Sequence, residues 1–154
     1  MRNRVFVLAS IVSLSLFGMT ACSGDDSEAG KSGAPEPQAV TVKTAESELG
    51  KILVDQSGRT LYGFTVDKDG ESNCDANCIA VWPALTSPSD AKSAKDIDKA
   101  LLTRTKRTEG VLQVKYKDWP LYYYVGDVVP GDLNGQGIDD EWFAVAPDGS
   151  LIKS

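Results

Sequence analysis

Three sets of residues in this chain have types and spacings that could do chemistry. The pattern Tyr-x-aromatic-x-x-Asp occurs twice, as Tyr62, Phe64, Asp67 and as Tyr122, Tyr124, Asp127. Two carboxylates beside aromatic rings could act as an acid–base pair, or as part of a sugar- or ligand-binding platform. Cys74 and Cys78 could form a disulfide, a redox dithiol or a soft-metal pair. Asp132-x-Asn134-x-Gln136-Gly137 resembles the opening of a calcium loop, and Asp139, Asp140 and Glu141 crowd the same region.

Spacing weakens the sharper reading of each set. On a strand Tyr62 and Phe64 share a face, whereas Asp67 lies an odd number of residues away. Asp67 is therefore expected at the strand end, accepting backbone N–H bonds and fixing a turn. Tyr62 and Phe64 then pack in the core with Trp82 or its counterpart Trp142. Two copies of one motif favour a structural role, since a catalytic site rarely needs both. An enzyme working through Asp67 and Asp127 is the least favoured reading, because carboxylate chemistry needs separations that sequence does not show. Cys74-x-x-x-Cys78 is not the C-x-x-C redox spacing, and no basic residue stands close to lower a thiol pKa. A structural disulfide is the default for the pair in an exported chain. In the calcium-like loop the fifth position is Gln136, and the twelfth, where a bidentate Glu should stand, is Phe143. The loop reads as a solvated turn, so no metal site and no cofactor are assigned.

Composition removes whole classes of function. The 154 residues include 16 Lys and Arg, 22 Asp and Glu, and no His. Without His there is no Ser-His-Asp or Cys-His catalytic pair, no His-ligated haem and no common zinc or copper site. The negative balance opposes sequence-independent nucleic-acid binding, which needs a basic surface.

The elements that must position these residues are short strands. Leu61-Tyr62-Gly63-Phe64-Thr65-Val66-Asp67 aligns with Leu121-Tyr122-Tyr123-Tyr124-Val125-Gly126-Asp127 at an offset of 60. The same offset carries Ile52 onto Leu112, Val54 onto Val114 and Trp82 onto Trp142. These are two copies of one supersecondary unit, about 50–85 and 110–145. Period-two alternation over Leu112–Lys117 predicts that Leu112, Val114 and Tyr116 face inward. Gln56-Ser57-Gly58, Thr108-Glu109-Gly110 and Pro147-Asp148-Gly149 read as hairpin loops. Only Asp96–Leu102 looks helical, with Asp96 as N-cap. The fold class is mainly β: two similar antiparallel repeats of about 60 residues in one domain, with a short helix between them.

Ahead of this domain, residues 1–21 read as a signal peptide. Arg2 and Arg4 precede the apolar run Val5–Phe17, which is shorter than the ~20 residues a membrane-spanning helix needs. Met19-Thr20-Ala21-Cys22 resembles the bacterial lipobox, which implies cleavage before Cys22 and its lipidation. Processing there leaves 14 Lys and Arg against 22 Asp and Glu, a net charge of −8, and removes both methionines. Met-ligated copper and haem sites are thereby excluded as well. Ser23–Ala39 has no aliphatic residue larger than Ala and no aromatic, so residues 22–39 read as a lipidated, flexible tether. The folded domain is 40–154.

Taken together, the two motifs, Cys74-x-x-x-Cys78-x-x-x-Trp82-Pro83, Pro120-Leu121, Pro130–Gly137, Trp142 and Pro147-Asp148-Gly149 resemble the bacterial secreted-repeat lipoproteins with a Yx(FWY)xxD motif. The resemblance covers essentially residues 50–150 and includes the lipobox. Trp119 departs from it, standing where a basic residue or His is expected. The resemblance implies this architecture and supplies no reaction. The expectation is thus a non-enzymatic lipoprotein on the outer face of the cell membrane, with a binding or envelope-structural role. Its lipid contacts the membrane, nucleic acid is not a partner, and the ligand or protein partner is open. The alternative is an accessory to envelope redox or metal handling through Cys74, Cys78 and the acidic loops.

Overall fold

The structure, a computed structural model, describes residues 38–107 and 110–153. The expected signal peptide, Cys22 and nearly all of the tether lie outside these residues.

Strands β1 (Thr41–Ser47) and β2 (Gly50–Asp55) form a tight hairpin, with Ala45 opposite Ile52. Its turn depends on Gly50, whose φ of +87° is open to glycine at no steric cost. Ser47 Oγ fixes the turn by accepting from the Leu49 N–H and donating to the Gly50 carbonyl. The corresponding hairpin of the second half is β5 (Leu102–Lys106) with β6 (Leu112–Tyr116). Between the halves, β4 (Lys92–Ser93) lies parallel to the start of β1. β7 (Trp119–Pro120) extends the β5–β6 pair.

The motif strands cross from one half to the other. β3 (Tyr62–Phe64) pairs antiparallel with β8 (Trp142–Ala144), which follows the motif of the second copy. In return, residues 121–125 pair with 81–85 of the first copy: the Tyr123 N–H donates to the Pro83 carbonyl, and Leu85 N–H to the Leu121 carbonyl. Between the two exchanges, Tyr62 and Tyr122 bond each other's backbone reciprocally, both N···O distances being 2.9 Å. The halves are therefore interleaved about an internal two-fold relation. Both core clusters obey it: one holds Leu61 with Leu121 and Leu85 with Val145, the other Tyr62 with Tyr122 and Trp82 with Trp142.

Two expectations change. Leu112 is 40% exposed, while Gln113 beside it is fully buried. The cause is register: Val114, not residue 113, takes the place of Leu53, each accepting from the N–H of the Leu that opens its motif. Five residues separate the paired Val54 and Thr60, but four separate Lys115 and Pro120, so the upstream strands correspond at an offset of 61. The buried amide of Gln113 is satisfied by donating to the Leu121 carbonyl and accepting from Arg107. Second, the helix between the repeats is a single 3₁₀ turn, Lys99–Leu101, capped by Asp98 rather than Asp96. A six-residue α-helix, α1 (Ala76–Val81), lies within the first repeat where none was expected. Asp75 caps it by accepting from the N–H groups of Asn77 and Cys78. Pro83 ends it, since the residue before a proline is driven out of the helical region. So short a helix leaves no periodic trace in sequence.

Candidate functional site

Asp67 sits just past β3 and Asp127 just past the bridged segment 121–125, each closing a turn by donating its own N–H to the carbonyl of the motif's second aromatic residue. Each is nearly buried, 6% exposed for Asp67 and 7% for Asp127. Their side chains do the same two things. Asp67 Oδ1 accepts from the Asn73 N–H at 2.6 Å, and Asp127 Oδ1 from the Asn134 N–H at 2.9 Å. Asp67 Oδ2 accepts from the Tyr122 hydroxyl, and Asp127 Oδ2 from the Tyr62 hydroxyl, both at 2.8 Å. The tyrosine of each motif thus bonds the aspartate of the other. The asparagines complete the loops, Asn73 donating to the Val66 carbonyl and Asn134 to that of Gly126.

The two carboxylates differ in what surrounds them. A chain of donors runs to Asp67: Arg107 to Ser72 Oγ at 2.5 Å, Ser72 to Tyr122 at 2.7 Å, and Tyr122 to the carboxylate. Arg107 also donates to the Cys74 carbonyl. Burial pushes Asp67 up to about 6, against the opposing pull of the Asn73 N–H, the Tyr122 hydroxyl and the Arg107 charge. Burial also raises Asp127; Tyr62 and Asn134 oppose it, and the nearby Asp132 carboxylate adds to it. Both phenols are raised by burial first, and further by the carboxylates they face.

Around this lattice the aromatic residues form a column. Phe64 stacks on Trp142 with centroids 4.1 Å apart, Trp142 on Trp82 at 3.8 Å, and Trp82 on Tyr124 at 4.5 Å. Tyr62 meets Trp82 edge-on, and Tyr122 meets Trp142 in the same way. Gly135 lets the chain pass close by: a Cβ there would stand 2.8 Å from the Tyr62 ring and 3.0 Å from that of Trp82.

Cys74 and Cys78 are joined in a disulfide, Cα to Cα 5.2 Å, that ties the residue before the helix cap to the first turn of α1. The second copy carries Asn134 and Ile138 at the same offset. In the calcium-like loop the side chains are turned to the protein. Asp132 Oδ2 accepts from the Val128 and Val129 N–H groups, and Gln136 joins the Ala144 N–H to the Ile152 carbonyl. Among the described residues no group of three or more His, Cys, Asp or Glu could hold a metal ion. Trp119 covers Gly63, where a Cβ would stand 3.3 Å from its side chain, and donates its indole N–H to the Gly149 carbonyl. Its counterpart Arg59 lies 4.0 Å over the Tyr123 ring, whose hydroxyl donates to the buried Asp55.

The sequence does not single out Ser72, Asn73, Arg107 or Gln113, and it marks Asn134 only as part of the calcium-like loop. The one available signal was an Asn six or seven residues after each motif Asp. A family model described as a secreted repeat of unknown function matches residues 43–86 and again 103–146, so each repeat begins early enough to include most of β1 or β5. No curated protein and no solved structure matches the chain.

Proposed function

Since the chain belongs to the family of secreted repeats of unknown function, we propose that it is a non-enzymatic binding domain, held at the outer face of the cell membrane by a lipid on Cys22. The observation that carries the non-enzymatic reading is the engagement of both motif carboxylates by a phenol of the opposite copy and a backbone amide. Groups so occupied make a rigid scaffold across two halves and present no free acid or base to a substrate. The Cys pair is closed on itself as a short staple, which does not favour redox or metal handling. The anchor is supported by Cys22 standing directly after small residues and an apolar run. Among the described residues no helix is long and apolar enough to cross a membrane. More than one acyl chain on Cys22 would give stable attachment, and the 17 residues of Ser23–Ala39 would hold the domain clear of the lipid. Fractionation tests the anchor: Cys22→Ala should release the protein from membranes, and mass spectrometry should find the native Cys22 acylated. Membrane retention of the variant, or an unmodified Cys22, would overturn it.

A further inference from the structure

One groove of the domain is lined by three sequence-equivalent pairs: Phe64 with Tyr124, Cys78 with Ile138, and Trp82 with Trp142. It has a volume of about 330 Å³ and takes wall from both repeats across the internal two-fold relation. Val81 and Asp139 complete the lining. Trp142 lies between Phe64 and Trp82, and Trp82 between Trp142 and Tyr124, so both faces of each indole are covered. Only their edges remain to meet a ligand, and an edge carries the indole N–H.

Trp119 donates its N–H to a carbonyl, but among the described residues neither Trp82 nor Trp142 has an acceptor for its own. No buried side-chain nitrogen or oxygen among the described residues lacks a partner, so these two N–H groups reach the surface of the protein. They do so although Trp82 and Trp142 are only 4% and 3% exposed. The groove is the cavity that both rings line. An indole N–H can only donate. A ligand that covered it without offering an acceptor would incur the cost of an unsatisfied polar group.

We propose that this groove binds a small, uncharged, largely apolar molecule bearing carbonyl-type acceptors, held by the indole N–H groups of Trp82 and Trp142. The walls are aromatic and aliphatic, and the volume is that of a small-ligand pocket. Asp139 in the lining and the domain's negative balance turn away carboxylates and phosphates, leaving neutral oxygen as the matching acceptor. This deepens the reading of the domain as a binding module and is independent of the lipid, so loss of either leaves the other standing.

The test is titration of the ¹⁵N-labelled full chain, following the three indole N–H resonances. The probes are 2-acetonaphthone, its acceptor-free analogue 2-ethylnaphthalene, and anionic 2-naphthoate. With the ketone, the Trp82 and Trp142 signals should shift together and saturate while that of Trp119 stays in place. The hydrocarbon and the anion should each bind at least about tenfold more weakly, the difference made by ~1.4 kcal/mol. Val81→Phe, at a position 43% exposed, should narrow the groove and weaken the ketone to a similar degree without moving the Trp119 signal. Stationary Trp82 and Trp142 signals, a hydrocarbon or anion that binds as tightly as the ketone, or all three indoles moving together would overturn the proposal.

Discussion

The Tyr62 hydroxyl donates to Asp127, 65 residues further along the chain, at 2.8 Å, and not to Asp67 of its own motif. Tyr122 and Asp67 repeat the arrangement in reverse, also at 2.8 Å. The motif is thus a clamp between copies, each supplying one donor and one acceptor.

A double-mutant cycle distinguishes a clamp between copies from a motif that works within one. Tyr62→Phe and Tyr122→Phe should each cost ~1–3 kcal/mol, because each leaves a nearly buried carboxylate with one acceptor unmet. Coupling of ~0.5–3 kcal/mol is expected for Tyr62→Phe with Asp127→Asn and for Tyr122→Phe with Asp67→Asn. The within-motif pair Tyr62→Phe and Asp67→Asn should be additive. Urea unfolding of the four-member cycles measures both.

Stability should rise as pH falls from 7 towards 4.5, the reverse of ordinary acid denaturation. The folded-state pKa of Asp67, about 6, lies above its ordinary value of 3.8, so between these values the folded chain holds more protons than the unfolded one. The ionised form therefore costs stability above pH 6. A shift of about two units corresponds to ~3 kcal/mol at most, and Asp127 is displaced in the same direction. Asp55 is held below its usual value by hydrogen bonds from Ser57, Arg59 and Tyr123, although burial opposes them. Its contribution is lost only at lower pH, as the carboxylate protonates. Asp67→Asn should flatten the slope between pH 4.5 and 7 in denaturant midpoints, and an unchanged slope would assign it to another group.

Reducing the disulfide should destabilise the domain without unfolding it. The loop closed by Cys74 and Cys78 spans only four positions, so the loss should stay below the ~3 kcal/mol associated with a fifteen-residue loop. Thermal melts with and without reductant should differ by a few degrees, and the Cys74→Ala, Cys78→Ala double variant should match the reduced protein.

Neither repeat should fold alone. β3 obtains its neighbour β8 from the second copy, and residues 81–85 serve the second motif in return. Cutting the chain between β4 and the 3₁₀ turn at Lys99–Leu101 should give two fragments with little β signal by circular dichroism. Mixed at equal concentration, they should recover it. A fragment folded by itself would contradict the interleaving.

Much of this was legible in one dimension. The twin motifs, their common offset of 60, and the strand character of residues around Tyr62 and Tyr122 follow from residue type and period. So does the seating of Asp67 and Asp127 at turns, because a short carboxylate beside a strand end has backbone N–H groups in reach. The secreted-repeat family and the mainly β class follow from the same residues. Local chemistry decides such features, and local chemistry is written in neighbours along the chain.

What the tertiary structure alone decided is which copy answers which. The sequence is symmetric with respect to pairing Tyr62 with Asp67 or with Asp127, and only the crossing of β3 onto β8 brings the second into reach. The one-residue difference between the hairpin loops before the two motifs likewise reverses the burial of Leu112 and Gln113, because a shift of one residue exchanges the faces of a strand. The stacked indoles follow from the same crossing: Trp82 and Trp142 are 60 residues apart in sequence and 3.8 Å apart in space. The sequence determined two like halves; the exchange of their strands made them one domain with a groove along the join.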